Sequence, residues 1–474
     1  QKIFVRYSFE FAERLPRMNI QKMDDYYLPE LVNRFFDTMS LQKGMSKLLL
    51  DIPGAFIQMI FGLILLSFYH PVFIVFGTVL FLLLITLLRF TSPKGMETSL
   101  QASDYKYGVA SWLEEMARTI KTFKYSKGTL LHMKKTDELT AGYLTSRTAH
   151  FKVLQGQYWS LISFKIIITA AMLIVGALLL VGQQINIGQF VAAEIVIISV
   201  IASAEKFILS LEKVYDVLTA LQKLGKVTES AMETEGSLLL PEIKEGVDIS
   251  FENVGFSYPG DNNVLQHISF HIPKGQHLAV VGKSGSGKSS LLRLLTGAFR
   301  DFQGNILIDD VPVGNYTLQS LRSQTGIILS TQDIFKASLK DNVTMGNESV
   351  SIADIAELAN LTGLAGFVQS QPEGYDFIID PMGKRLSKKY IQAILLMRAL
   401  LGKHRLLLLE EPCMHMDKEY MMQLLSYLKN DTTATIIITT NDPVIAASCD
   451  KVILLNEGKI KAVGNWKDIE QKMN

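Results

Sequence analysis

The sequence predicts an all-α membrane-spanning region followed by an α/β phosphate-loop domain with a helical subdomain. Long apolar blocks are concentrated before Leu211, and short β-branched runs alternate with helical patterns after Val247. Between them in importance is the run Gly282-Lys283-Ser284-Gly285-Ser286-Gly287-Lys288-Ser289, which reads G-x-x-x-x-G-K-S. At 474 residues the chain exceeds one ordinary domain. The boundaries read from it are a transmembrane domain over 1–227, a linker over 228–246 and a nucleotide-binding domain over 247–474.

Ile52 to Leu88 is almost continuously apolar, broken at Tyr69-His70-Pro71. A span needs about 20 residues, so this block makes two spans joined by a tight turn. Trp159 to Val181 and Ile187 to about Leu209 make two more, linked by Gln183-Gln184-Ile185-Asn186. Four spans result. Arg89 to Gln157 is too polar to span and too long for a plain loop. Its periodic Trp112, Met116, Ile120 and Phe123 predict long helices extending beyond the bilayer. Asp24 to Asp37 looks similar.

Orientation follows from basic residues. Arg89 to Gln157 carries 11 Lys/Arg and the first 51 residues carry 8, whereas the connections at His70 and Gln183 carry none. The positive-inside rule places both basic segments, and with them the second half of the chain, in the cytoplasm. Within the spans, Lys165 reads as snorkelling, Glu205 and Lys206 as interfacial, and Glu194 as a cavity-lining candidate.

The net charge of +1 and the lack of a basic patch argue against a nucleic-acid partner. Two cysteines, Cys413 and Cys449, exclude a disulfide framework and suit a reducing compartment for the second half. Gln1 opens inside a helical pattern with no initiator Met or leader, and the expectation is a chain truncated at its N-terminus.

Thr228 to Gly246 is rich in Glu, Ser and Gly and reads as the linker. Strands are expected at Ile249–Phe251, His277–Val281, Ile306–Ile308, Arg405–Leu409, Thr435–Thr439 and Val452–Leu455. The glycine-rich run lies between His277–Val281 and a helical run from Ser290, the strand–loop–helix context its chemistry requires. The glycines let backbone N–H groups turn inward as a nest for phosphate oxygens. Lys288 is placed to reach the β- and γ-phosphates and Ser289 to hold Mg²⁺.

Several further motifs in order resemble the ATP-binding cassette (ABC) exporter family, over essentially the whole chain. Val254-Gly255-Phe256-Ser257-Tyr258-Pro259 resembles its aromatic loop, which implies that Tyr258 stacks on adenine. Arg405 to Pro412 resembles the Walker B strand, and Asp417 fits the D-loop aspartate. The resemblance implies ATP bound by Gly282, Ser284, Gly285, Ser286, Gly287, Lys288, Ser289 and Ser290, with Ser387 and Asp417 completing nucleotide contacts. It implies Mg²⁺ held by Ser289, Glu410 and Gln332, and catalysis by Glu411, Lys288 and Asn441. An apolar strand ending in carboxylates sets negative charge beside Mg²⁺, and Glu411 is placed to activate the attacking water. The family's half-transporter has six spans, of which this chain shows the last four. Two coupling helices are implied near Asp24–Asp37 and Tyr125–Leu130. A second half-transporter, identical or not, membrane lipid and an exported substrate of unread identity are the implied partners. The implied location is the cell (inner) membrane, with the cassette in the cytoplasm.

The chain departs from the family at four positions. Walker B opens with Glu410, one methylene longer than the usual Asp. The Q-loop glutamine position falls on Ser330, with Gln332 two residues on. Leu386-Ser387-Lys388-Lys389-Tyr390 stands where the family has LSGGQ, and glycine allows a close backbone approach that lysine does not. The switch histidine position falls on Asn441, which can hydrogen-bond but cannot carry the proton. Losing one transition-state donor costs about 3–4 kcal/mol. Slow hydrolysis is therefore expected in an exporter. The alternative is an ATP-binding regulatory or gating subunit with little or no turnover.

Overall fold

The computed structural model describes residues 2–22, 28–260, 263–380, 383–430 and 433–473. The chain forms two compact units, Gln1–Met18 with Lys22–Met232, and Asn19–Gln21 with Glu233–Asn474.

The first unit is helical. Its main helices are Asp37–Ser67, Val72–Arg118, Leu131–Val181, Ile187–Leu209 and Leu211–Thr228. Among the described residues four stretches, 28–67, 72–118, 131–181 and 187–228, are long and apolar enough to cross a membrane. At about 1.5 Å per residue the two longest helices run roughly 70 and 77 Å, over twice the hydrocarbon thickness of ~30 Å. The polar stretch after Arg89 is therefore helical rod, interrupted around Thr119 and Ser126–Leu130 with the short helix Ile120–Tyr125 between. The segment expected from Asp24 contains helix Leu28–Asn33; its residues 24–27 lie outside the described residues.

Local chemistry sets the breaks. Pro71 lacks an N–H to give the preceding helix, so the chain turns at Phe68–Pro71 and restarts at Val72. At the second break Asn186 and Gln189 form a capping box, with bonds of 2.8 and 2.9 Å, that opens helix Ile187–Leu209.

Helix Val72–Arg118 packs along Leu131–Val181, and Asp37–Ser67 packs along Ile187–Leu209. Small residues make room for this. A Cβ on Gly62 would stand 2.4 Å from a Val200 methyl, and one on Gly176 would stand 2.3 Å from the Phe190 ring. Leu80, Leu161, Met172, Ile197 and Val200 fill the shared core. Lys165 does not snorkel alone: its ammonium meets Glu205 of the neighbouring helix at 2.5 Å. Lys206 likewise pairs with Asp51 at 3.0 Å. A lone charge in such a setting is costly, and pairing removes part of that cost. Glu194 is half-buried.

The second unit holds two sheets. The strands are β1 (Ile249–Phe256), β2 (Leu265–Ile272), β3 (His277–Val281), β4 (Phe302–Ile308), β5 (Val311–Pro312), β6 (Thr325–Ile328), β7 (Leu406–Glu410), β8 (Thr435–Thr439), β9 (Lys451–Asn456) and β10 (Lys459–Gly464). An antiparallel sheet runs β2-β1-β4-β5. The other runs β10-β9-β3-β8-β7-β6, parallel except for edge strand β10. β7 and β8 are buried along their whole length, so they read as unbroken Leu and Ile runs rather than alternating ones. Helices between Leu339 and Leu400 pack around Ile355, Leu364, Ile394 and Leu396. Between the units' helical and α/β parts, residues 229–248 carry no helix, and Arg322 fixes this stretch by a bidentate pair with Glu233 at 2.6 and 2.8 Å.

Candidate nucleotide site

Strand register assembles the site. Thr439 pairs with Val280 of β3 on one side and with Glu410 of β7 on the other. The next residues along, Gly282, Asn441 and Glu411, therefore emerge together at the carboxyl ends of three adjacent strands. In an open parallel sheet that is where ligands bind.

The glycine-rich run joins β3 to helix Lys288–Leu295. Gly282, Gly285 and Gly287 have φ of 152°, 79° and 101°, a region that side chains disfavour. At Gly282 space is also lacking, since a Cβ would stand 2.1 Å from Leu455 O. Lys288 Nζ curls into the loop and donates to Gly282 O at 2.6 Å and Lys283 O at 3.1 Å. Ser284 and Gly285 are exposed, while Ser286 is buried and its Oγ has no hydrogen-bond partner. A buried hydroxyl with no partner among the described residues, in a glycine-rich loop that opens a helix, fits an anion such as phosphate.

The carboxylates stand beside this loop. Glu410 is 9% exposed; it accepts from Ser289 Oγ and, through its other oxygen, from Ser330 N–H at 2.7 Å. A hydroxyl against a buried carboxylate is a donor set that suits Mg²⁺, which prefers oxygen ligands. Glu411 follows with φ 44°. Burial pushes its carboxyl above the ordinary carboxylate value; Lys288 and a hydrogen bond with Thr440 oppose this, and Glu410 and Asp442 add to it. Burial likewise lowers the Lys288 ammonium, opposed by Glu411 and Glu410. A half-buried carboxyl raised in this way is a stronger proton acceptor than a free glutamate. Asn441, with its amide nitrogen turned to the carbonyls, donates to Gly282 O at 2.8 Å and to Thr440 O at 3.3 Å.

Tyr258 lies on the other flank of helix Lys288–Leu295. Its hydroxyl meets Ser290 Oγ at 3.1 Å and accepts from Arg293 at 3.2 Å, and its ring packs edge-on against Phe256 and Phe299.

Gln332 is not among the groups brought together. Its side-chain oxygen accepts from Leu329 N–H at 3.2 Å, within its own turn. The contact with Glu410 at this loop comes instead from the backbone N–H of Ser330, the position on which the family glutamine falls; a backbone N–H has no residue signature, so the contact itself was not legible in the sequence.

Ser387 caps helix Lys388–Leu400, accepting from Tyr390 N–H at 3.5 Å. Lys389 pairs with Asp417 and lies 5.7 Å from the Tyr420 ring centroid. Gln392, one turn on, donates to Glu411 O at 3.1 Å and Pro412 O at 3.2 Å. Lys389 and Gln392 are spaced i, i+3, so one helix face holds the loop that carries Glu411.

Family models match in two places: the ABC transporter transmembrane region over residues 10–202 and the ABC transporter over residues 265–414. The putative export ATP-binding/permease protein of Rickettsia bellii is 27% identical over 481 residues, covering 98% of this chain and 81% of that protein. The alpha-hemolysin translocation ATP-binding protein HlyB of Escherichia coli O157:H7 is 33% identical over 259 residues, covering 53% of this chain. That match spans 36% of HlyB, about a third of its length. The mitochondrial iron-sulfur clusters transporter ATM1 of Saccharomyces cerevisiae is 29% identical over 255 residues, 53% of this chain and 37% of that protein. The solved structure of a bacterial Atm1-family ABC exporter with ATP bound superposes with a TM-score of 0.89 at 19% identity, covering 100% of this chain and 84% of that one, so the fold is shared. With the membrane region and the cassette matched in family order on one polypeptide, the chain belongs to the ABC transporters.

Proposed function

We propose that the chain is one half of a dimeric ABC exporter that couples ATP binding and slow hydrolysis to transport across a membrane. The observation that carries this is the meeting of Lys288, Ser289, Glu410, Glu411 and Asn441 at the carboxyl ends of adjacent strands, in a chain whose described residues include four membrane-capable helices. The transmembrane domain takes residues 1–227 of a six-span whole, 228–246 link it to the cassette, and 247–474 form the cassette with its helical subdomain. The membrane is the cell (inner) membrane with the cassette on the cytoplasmic side, as the basic segments at 1–51 and 89–157 favour.

The phosphates lie in the nest of Gly282–Ser289, where Lys288 and the free Ser286 hydroxyl meet their oxygens. Ser289 and Glu410 hold Mg²⁺, which offsets the phosphate charge when bound. Tyr258, already against Ser290, receives adenine. Glu411 takes the proton of the attacking water, and Asn441 orients that region by hydrogen bonding alone. Ser387 and Asp417 complete the nucleotide contacts, from a second half-transporter across the dimer. Closure of two cassettes on ATP shifts the spans from one access state to the other. Membrane lipid surrounds the spans, and nucleic acid is not a partner.

A regulatory ATP-binding subunit with little turnover is the second reading. It is favoured by Lys388 and Lys389 at the start of helix Lys388–Leu400 and by the engagement of Lys389 with Asp417. Reconstituted wild type and Glu411→Gln separate the two. An exporter shows ATP consumption that falls about 10²-fold or more in the variant. Identical consumption and unchanged transport in both favours the regulator.

A further inference from the structure

We propose that residues 233–248 form a strap that belongs to the cassette, buckled by Arg405, and that the chain has no slack where this strap meets helix Leu211–Thr228. The mechanical consequence is that nucleotide-driven movement of the cassette pulls directly on that helix. This consequence rests on the reading of Gly282–Ser289 as a nucleotide site. The stretch before β1 is rich in Glu, Ser and Gly and carries no helix, the pattern of a flexible tether. Its hydrogen bonds show a different arrangement.

At the start of the strap the Glu233 carboxylate, 7% exposed, holds its bidentate pair with Arg322. Glu235 accepts from Leu318 N–H at 3.3 Å. Gly236 N–H donates to Tyr316 O at 3.0 Å and Leu238 N–H to Asn315 O at 2.9 Å, and Thr317 N–H returns a bond to Leu238 O at 2.8 Å. A Cβ on Gly236 would stand 2.0 Å from the Asn315 backbone, so this approach needs a glycine. Leu240 is buried, and its N–H reaches Ser320 Oγ at 3.1 Å. Arg405, 1% exposed, closes the far end. Its guanidinium donates to Pro241 O at 3.3 Å, Glu245 O at 2.9 Å and Gly246 O at 3.1 Å, and pairs with Asp309 at 2.6 Å. The hydroxyls of Thr433 and Thr435 donate to Lys244 O and Val247 O at 2.7 and 2.5 Å. A planar fork of N–H donors holds three carbonyls and a carboxylate at once, which the compact ammonium of a lysine does not match.

The helical unit is anchored just as closely up to this point. Glu229 N–H donates to Gly225 O at 2.8 Å, and Ser230 Oγ donates to Val227 O at 2.7 Å, so both residues are bonded back onto helix Leu211–Thr228. Met232 forms a backbone bridge with Met18. Met18 is buried in a cluster with Val217, Leu224 and Val227 of that same helix. Met232 is therefore fixed in the helical unit and Glu233 in the cassette, and the two compact units divide at this same peptide. Anchors on consecutive residues are one Cα–Cα step apart, about 3.8 Å. The tether expected over 228–246 thus shrinks to the peptide between Met232 and Glu233.

The test is amide hydrogen exchange and thiol labelling on the full chain in lipid nanodiscs. Without nucleotide, the amides of Gly236, Leu238 and Leu240 are protected in wild type. Arg322→Leu and Arg405→Met each raise exchange across 234–248 about tenfold or more, as loss of a bond to a charged group predicts, with peptides from β3 and β8 unchanged. Should Arg405→Met fail to fold, Arg322→Leu decides. Inserting Gly-Ser-Gly-Ser between Met232 and Glu233 adds up to about 14 Å of chain. Leu218→Cys supplies a reporter on helix Leu211–Thr228, at a position 44% exposed, while the native thiols, pushed up to about 12, stay silent at pH 7.5. Mg·ATP changes the maleimide labelling rate of this reporter without the insertion. With the insertion, ATP consumption is kept and the change in labelling is lost. Strap amides that exchange freely in wild type, or exchange that is unchanged in both arginine variants, overturn the strap. A label that never responds to Mg·ATP, or whose response survives the insertion, overturns the pull. If wild type binds no fluorescent ATP analogue, the nucleotide reading and the pull fail together, and the nucleotide-free exchange still decides the strap.

Discussion

Glu411 is held in a left-handed backbone turn, with its carbonyl fixed by Gln392 and its carboxyl half-buried. Because burial raises its pKa, the carboxylate needed to accept a proton is lost as pH falls, and at a higher pH than for a free glutamate. ATPase pH profiles should therefore show an acid limb above the ordinary carboxylate range, and Glu411→Gln should abolish that limb along with most of the rate. Gly282 is the second residue with a clear consequence. Its φ of 152° and the closeness of Leu455 O mean that Gly282→Ala forces backbone apart. Strain and displacement of this kind cost about 1–3 kcal/mol, to be read as a lower melting temperature of the cassette and weaker binding of a fluorescent ATP analogue. Both positions are chemically legible in sequence as types, a carboxylate and a glycine. Their strain and burial arise only once β3, β7, β8 and β9 lie side by side.

Elements differ in how openly they announce themselves. The capping box at Asn186 and Gln189 is local, three residues apart, and Asn186→Ala should cost about 1 kcal/mol of helix stability. Denaturant titration of the reconstituted chain, followed by helical circular dichroism, measures this. The breaks at Pro71 and Gln183 were legible for the same reason, since turn chemistry acts within a few residues. The strands β2, β5, β6 and β10 were not anticipated. β6 is four residues opening with Thr-Gly, and β10 is an edge strand carrying Lys459 and Lys461. Neither offers a run of apolar residues long enough to read, and each is fixed by its pairing with β7 or β9. The stretch 89–157 was read as long helices, and its continuity past the apolar blocks bears that out, whereas the pairing of Lys165 with Glu205 bridges 40 positions and has no local signal.

For the molecule as a whole, the two cysteines report on cassette integrity. Burial pushes the thiols of Cys413 and Cys449 up to about 12, so neither forms thiolate at neutral pH. Alkylation at pH 7.5 should be negligible in the folded chain and complete in denaturant, with mass spectrometry counting the adducts. Folded chain that labels rapidly at either site would contradict the packing of these loops. The sequence by itself determined the order of the two parts, the number of apolar spans and the phosphate loop, because each is written in contiguous residues or a fixed short spacing. Only the tertiary structure decided which atoms converge on that loop. Ser330 reaches Glu410 across 80 positions, Lys389 reaches Asp417 across 28, and Gln332 turns inward to its own backbone. Such contacts depend on strand order and register, and these follow from burying whole faces rather than from the neighbours of any one residue.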